Sequence, residues 1–207
     1  MAKQPEASGV ALSWRGVLVA LALVAVVGGL ALVGRSALFR GAAEPTIGGP
    51  FTLVNAQGQT VSDSAYRGRW MLVYFGYTFC PDVCPTELGT VADALGHLSK
   101  GKAAKIAPLF ISIDPARDTP AKMGAYVQAF GAGIEGLTGS PEQIGAAAKA
   151  YRVYYQKVDA PAAHPDDYTM DHTSIVYLMD PQGRFAAHYD HDTTSAQMVA
   201  DLEQRVD

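Results

Sequence analysis

The chain has 207 residues and a formal net charge of −4 at pH 7. This length suffices for one ordinary domain and an additional segment, and the acidic balance argues against a nucleic acid as the partner. Cys80 and Cys84 are the two cysteines of the chain, so a disulfide framework of the kind that holds small secreted domains together is excluded.

The N-terminal part predicts a membrane anchor. A polar tail, residues 1–15, precedes an uncharged apolar run over residues 16–34. As a helix this run would be roughly 28 Å long, close to the thickness of about 30 Å of a bilayer core. A cleaved signal peptide has a shorter apolar region, although the small residues 37–43 leave cleavage open. We expect a cytoplasmic tail, one transmembrane helix and a translocated domain, because long domains cross largely regardless of charge.

After a tether over residues 35–50, which is rich in Gly, Ala and Pro, strands and helices alternate. The predicted elements, in order, are a hairpin (51–61), a buried strand (71–75), a helix from about Pro85 to Lys100, a second buried strand (107–113), helices from Pro120 and Pro141, a strand (153–158), a polar loop (159–171), two strands (173–179 and 184–189) and a closing helix (193–206). This order predicts an α/β thioredoxin-like sandwich over residues 51–207.

The stretch between the first buried strand and the first long helix contains both cysteines, each followed by a proline. Pro85 restricts Cys84 to extended geometry and is itself suited to the first position of a helix. Cys84 is therefore expected at a helix N-terminus, where the helix dipole and unpaired N–H groups favour a thiolate.

Three roles are open for the two sulfurs: a metal site, a redox-active pair or one structural bridge. A bridge across so short a loop would constrain the unfolded chain only modestly. Thioredoxin-type enzymes place two residues between the cysteines and a cis-proline opposite them. Here three residues intervene, and Asp171–His172 precedes the strand that is predicted to face the site. Thiol–disulfide exchange by Cys80 and Cys84 stays the main alternative to metal binding.

His172 is the third candidate ligand, because in this fold the strand that follows it ends beside the cysteine loop. Two thiolates and one imidazole suit Cu(I), whereas a closed zinc site would need a fourth ligand. The remaining histidines are weaker candidates. His97 is expected at a solvated helix position and His164 in a loop, and His188 with His191 is the candidate pair for a second, labile site.

The segment Asp114–Asp118 ends the second buried strand, and turn and capping chemistry explains most of it. Asp118, with Arg117, is expected near the cysteines as a supporting residue. Asp171 is expected to support its neighbour His172 in the same way.

Three motifs together resemble the SCO/SenC family: residues 76–88, 114–120 and 170–172. The resemblance covers the chain from about residue 45 to its end. It implies a membrane-tethered protein with a thioredoxin-like fold, and a copper ion held by Cys80, Cys84 and His172. Ala116 stands where the family has an acidic residue, a departure that touches no ligand.

The same resemblance implies a role in assembling the binuclear copper centre of cytochrome c oxidase. The expected partners are the copper-bearing oxidase subunit or another copper chaperone, and the expected function is that of a chaperone, not an enzyme. The resemblance also implies a domain that faces the bacterial periplasm or the mitochondrial intermembrane space. Because the N-terminus lacks the Arg-rich, Ser-rich stretch of a mitochondrial presequence, we expect an inner-membrane protein facing the periplasm. The alternative is a thiol–disulfide oxidoreductase that reduces partner cysteines before metal loading.

Overall fold

The computed structural model describes residues 46–159 and 168–206, and helical residues at positions 14, 17–19, 21–26, 28 and 29. The chain divides into two compact units, Met1–Pro45 and Thr46–Asp207. The described residues of the first unit are helical and exposed. In the described part of the chain, no helix combines the length and apolar character needed to cross a membrane. The anchor predicted over residues 16–34 lies partly outside the described residues and stays a prediction.

The second unit contains nine described strands and five described helices. The strands are β1 (Thr52–Asn55), β2 (Thr60–Ser62), β3 (Trp70–Gly76), β4 (Ile106–Ser112), β5 (Glu135–Thr138), β6 (Tyr155–Asp159), β7 (Tyr168–His172), β8 (Ile175–Met179) and β9 (Phe185–Asp190). The helices are α1 (Val83–His97), α2 (Lys100–Ala103), α3 (Pro120–Gln128), α4 (Pro141–Tyr151) and α5 (Ser195–Arg205), and a 3-10 turn covers Asp63–Tyr66.

Strands β3 and β4 form the centre of a seven-stranded sheet with the order β2-β1-β5-β4-β3-β8-β9. They run parallel, with Tyr74 opposite Phe110 and Gly76 opposite Ser112. Every residue of β4 and all but the first of β3 are buried, as expected for apolar runs covered on both faces. Parallel strands end at the same edge of a sheet, so the segments that follow β3 and β4 meet there.

The helix starts follow from local hydrogen bonding. Helices α3 and α4 begin at Pro120 and Pro141 as predicted, with Thr119 and Ser140 as their caps, and Gln143 completes a capping box with Ser140. Thr194 caps α5 in the same manner. Helices α3 and α4 contact β1, whereas α1 packs with α5. The cap at Thr119 fixes the start of α3 directly behind Asp118.

The start of α1 differs from the prediction. The helix begins at Val83 instead of Pro85, so Cys84 is helical and the extended geometry expected for it is wrong. Pro85 still lies in the first turn, where its missing N–H has no partner within the helix to lose. At the other end, α1 stops at His97 and the separate helix α2 covers the predicted end.

Strand β7 is the largest difference from the prediction of a polar loop over residues 159–171. It pairs antiparallel with β6 in a two-stranded sheet separate from the main sheet. Half-buried and exposed residues alternate along it, because only one face of the strand is covered. His172 therefore ends one strand, and β8 begins three residues later at Ile175.

Candidate metal centre

Cys80, Cys84 and His172 come together although they lie on three different elements: the loop after β3, the first turn of α1 and the end of β7. Their sulfur and nitrogen atoms all lie within 4.8 Å of one another. Within the described ranges, they form the one cluster of three or more His, Cys, Asp or Glu side chains that could hold a metal ion. The structure thus brings together the three residues that the sequence predicted as ligands.

Both cysteines are free thiols, and both are buried. The backbone N–H of Cys84 donates a hydrogen bond to Sγ of Cys80 at 3.4 Å. This N–H belongs to the first turn of α1, where the backbone donors have no partner within the helix. The chain reversal from the loop into the helix therefore holds the two sulfurs side by side.

The two thiols differ in acidity. A hydrogen bond from the Cys84 thiol lowers the pKa of Cys80, with smaller contributions from the backbone N–H groups of Cys84 and Asp82. Donation of that hydrogen bond, together with burial, raises the pKa of Cys84. The prediction of a thiolate at Cys84 is therefore wrong. The helix N-terminus does favour a thiolate, but the sulfur that accepts its N–H belongs to Cys80.

His172 is held in the tautomer that suits a ligand. Its Nδ1 lies 3.0 Å from the carbonyl oxygen of Thr173, which can only accept, so the proton of the neutral ring is on Nδ1. The lone pair of Nε2 then faces Sγ of Cys84 at 3.5 Å. The ring packs edge-on against Tyr77 and Tyr74, with centroid distances of 5.9 and 6.3 Å.

Two residues of β3 that the sequence analysis did not predict as site residues form the floor of the site. The hydroxyl of Tyr74 donates to Sγ of Cys84 at 3.8 Å and lies 3.2 Å from Oγ of Ser174. A Cβ on Gly76 would lie 2.6 Å from Sγ of Cys84, so a larger residue would displace that sulfur. Tyr74 and Gly76 are two positions apart, so they lie on the same face of the strand. This alternation is the sequence signal that could have identified both as site residues.

Asp118 supports the cysteine loop without joining the ligand cluster. It is fully buried and accepts hydrogen bonds from the N–H and Oγ1 of Thr78 at 3.1 and 2.6 Å, and from Oγ of Ser112 at 2.7 Å. Burial raises the pKa of its carboxyl group, and these donors oppose the rise. Asp171 is exposed on β7 and is not in the cluster of converging ligand atoms.

The other histidines lie elsewhere. His97 is exposed on α1, with Nδ1 2.8 Å from the carbonyl oxygen of Asp93. His188 and His191 are exposed at and beyond β9, and the described residues show no ligand cluster around them. His164 falls in the segment 160–167, outside the described residues.

A cavity of about 360 Å³ lies beside the ligands. Tyr77, Cys80 and Pro81 line it from the cysteine loop, and Met170 and His172 line it from β7. Cys84 is not part of its lining and is 0% exposed. A larger cavity of about 630 Å³ lies between the β1–β2 turn and α3, and none of the three ligand residues lines it. The smaller cavity therefore gives access to Cys80 and His172.

A family profile described as SCO1/SenC matches residues 40–207 of the chain. Among similar proteins, the Arabidopsis thaliana mitochondrial protein SCO1 homolog 1 is 41% identical over 156 residues, which cover 74% of this chain. The human mitochondrial protein SCO1 homolog is 36% identical over 203 residues, which cover 92% of this chain. The matched segments span 46% of the plant protein and 65% of the human protein.

Among solved structures, Bradyrhizobium japonicum ScoI, determined with copper bound, superposes with a TM-score of 0.69 at 44% identity. The match covers 76% of this chain and 98% of that structure. This agreement confirms the predicted α/β thioredoxin-like fold.

Proposed function

The chain belongs to the SCO1/SenC family, and we propose that it is a copper chaperone that takes part in assembling cytochrome c oxidase. The observation that carries the proposal is the convergence of Cys80, Cys84 and His172 to within 4.8 Å. Soft sulfur ligands select Cu(I), and imidazole suits copper as well. A closed zinc site would need a fourth ligand, and the described part of the chain offers none in this cluster.

The geometry supplies a sequence of events for the copper cargo. Cys80 offers a thiolate, and His172 presents Nε2 to the ion while its Nδ1 faces the carbonyl oxygen of Thr173. Cys84 must release its proton as the ion binds, which makes copper affinity rise with pH. Transfer then proceeds by ligand exchange, in which the thiols of a partner replace these side chains one at a time.

Copper binding by the full-length chain, purified with reduced thiols, tests the proposal. We expect one Cu(I) per chain and an affinity at least tenfold lower in His172→Ala, because the variant keeps both sulfurs but loses the nitrogen ligand. The matched control is His97→Ala, since His97 is exposed on α1. Equal affinities of the wild type and His172→Ala would remove His172 from the site.

A thiol–disulfide oxidoreductase is the second candidate function. The low pKa of Cys80 and the adjacent Cys84 thiol favour it, because a thiolate beside a second thiol is the arrangement that such enzymes use. A redox titration of the two cysteines tests this candidate. If they do not interconvert with a dithiol between about −120 and −270 mV, the range of known oxidoreductases, catalysis is excluded.

The proposed setting is the periplasmic face of an inner membrane, with residues 16–34 as the anchor. The uncharged apolar run supports this part of the proposal. Alkaline phosphatase fused behind residue 207 in a bacterial host should be active, because that enzyme requires the periplasm. An inactive fusion that is present in normal amounts would contradict the orientation.

A further inference from the structure

The three proposed ligands are carried by two separate parts of the domain. Cys80 and Cys84 follow β3 of the main sheet, whereas His172 ends β7 of the two-stranded sheet. The distance from Nε2 of His172 to the two cysteine sulfurs therefore depends on what holds the two-stranded sheet against the main sheet. Hydrogen bonds between Thr173 and Tyr154 close the base of the β6–β7 pair but do not connect it to the cysteine loop.

The far end of β7 is attached to the turn after β4 through Arg117. The carbon Cζ of its guanidinium lies 3.5 Å from the ring centroid of Tyr168, and Nη1 donates to the carbonyl oxygen of Tyr168 at 3.0 Å. Asp114 accepts hydrogen bonds from Nε of Arg117 and, at 2.8 Å, from the hydroxyl of Tyr168. Each of the three residues thus contacts the other two. Tyr168, the first residue of β7, is held through its ring, its hydroxyl group and its backbone carbonyl oxygen.

The same guanidinium also faces the cysteine loop. Its Cζ lies 4.6 Å from the ring centroid of Phe79 and 5.8 Å from that of Tyr77. Phe79 directly precedes the proposed ligand Cys80. The buried guanidinium of Arg117 therefore lies between Phe79 and Tyr168, the first residue of the strand that carries His172. An arginine suits this place because its planar group can stack on rings and donate hydrogen bonds in fixed directions, which a lysine cannot reproduce.

Tyr168 and His172 lie at the two ends of β7, four positions and about 13 Å apart along the strand. The His172 end joins β8 of the main sheet through two residues, and the contacts of Arg117 and Asp114 hold the Tyr168 end. The direction of β7, and with it the approach of Nε2 of His172 to Sγ of Cys84 at 3.5 Å, therefore depends on both ends.

We propose that Arg117 is a positioning residue, which together with Asp114 and Tyr168 holds β7 so that His172 stays within reach of the two thiols. This inference rests on the proposed copper site. The segment Asp114–Asp118 after β4 thus has two roles. Asp118 holds the cysteine loop, and Arg117 with Asp114 positions β7 through Tyr168.

A double-mutant cycle on the full-length chain tests the inference, with Cu(I) affinity measured by competition against a chromophoric chelator. Arg117→Ala should lower the affinity about tenfold, the usual scale for partners that orient a ligand. In the His172→Ala background the same change should alter the affinity less than twofold, since no nitrogen ligand remains to be positioned. Arg184→Ala, at an exposed position, is the matched control and should leave the affinity unchanged.

Two results would overturn the inference. One is a similar loss in both backgrounds, which would indicate a general structural effect of Arg117. The other is no loss in either background. Equal affinities of the wild type and His172→Ala would instead show that the ligand set itself is wrong, and this outcome is visible without any Arg117 variant.

Arg117→Lys replaces Arg117→Ala in the cycle if circular dichroism shows that the alanine variant does not fold. It keeps the charge and most of the stem but loses the planar contacts to Tyr168. The expected result is again a loss of affinity that disappears in the His172→Ala background. Wild-type affinity in Arg117→Lys would overturn the inference, because the planar contacts would then not be needed.

Discussion

At the scale of single residues, the two cysteines differ because their sulfurs have different surroundings. Sγ of Cys80 accepts a hydrogen bond from an N–H of the first turn of α1, and Cys80 lines a cavity, whereas Cys84 is fully buried against Tyr74 and Gly76. Spacing alone predicts that the sulfurs are neighbours. It does not predict which sulfur carries the negative charge, because this depends on where α1 begins.

Alkylation of the metal-free, reduced protein should therefore distinguish the two thiols. Cys80, with its lowered pKa, should react with iodoacetamide at nearly the same rate at pH 6 as at pH 8. An ordinary thiol would slow about a hundredfold over this range. Cys84, with its raised pKa and no exposure, should stay unmodified at both pH values. Peptide mapping by mass spectrometry measures both rates, and preferential modification of Cys84 at pH 6 would refute the assignment.

Gly76→Ala should damage the site through one added methyl group. That Cβ would lie 2.6 Å from Sγ of Cys84 and 2.8 Å from Cε2 of Phe110. We expect the free energy of unfolding in urea to fall by about 1–3 kcal/mol, as for other overpacked cores, and copper affinity to fall with it. Gly89→Ala on α1 is the control, because its Cβ meets nothing within 4 Å. It should raise stability by about 0.5–1 kcal/mol. Equal effects of both changes would disprove the steric account.

At the scale of secondary structure, the predictable elements are those whose signals are local. The caps at Thr119 and Ser140 need only neighbouring residues, and the buried strands need only continuous apolar runs. Strand β7 could not be recognised by composition, because its sequence is polar and it pairs outside the main sheet. Its alternation of partly buried Tyr168, Met170 and His172 with polar residues was the available signal.

Glu87 gives α1 a pH-dependent stability. Burial raises the pKa of this carboxyl group to about 7, and Asp190 adds to the rise while His191 opposes it. The pKa of Glu87 in the folded protein lies above the value of 4.5 in the unfolded chain. Its contribution to the free energy of unfolding is therefore fully present below about pH 4.5 and is lost as the pH rises through 7.

Glu87→Gln should accordingly leave the free energy of unfolding nearly unchanged at pH 4 and raise it by about 2–3 kcal/mol at pH 8. Urea denaturation at the two pH values measures the difference. The control is Glu203→Gln, which removes an exposed carboxylate on α5. A Glu87→Gln effect that is the same at both pH values would contradict the role of burial.

At the scale of the whole molecule, the proposed site joins distant parts of the sequence. The cysteines lie in one loop–helix segment, and the histidine lies 88 residues after Cys84 on a separate two-stranded sheet. The sequence predicted the three candidate ligands and the order of the elements. The contacts of Arg117 with Tyr168 could not be predicted, because they depend on how the two sheets pack.

The most direct measurement of the central claim is X-ray absorption at the copper K edge on the full-length chain loaded with one equivalent of Cu(I). Two sulfur ligands and one nitrogen ligand are expected in the wild type, and loss of the nitrogen is expected in His172→Ala. A coordination shell without nitrogen in the wild type, or one without sulfur, would contradict a copper site formed by Cys80, Cys84 and His172.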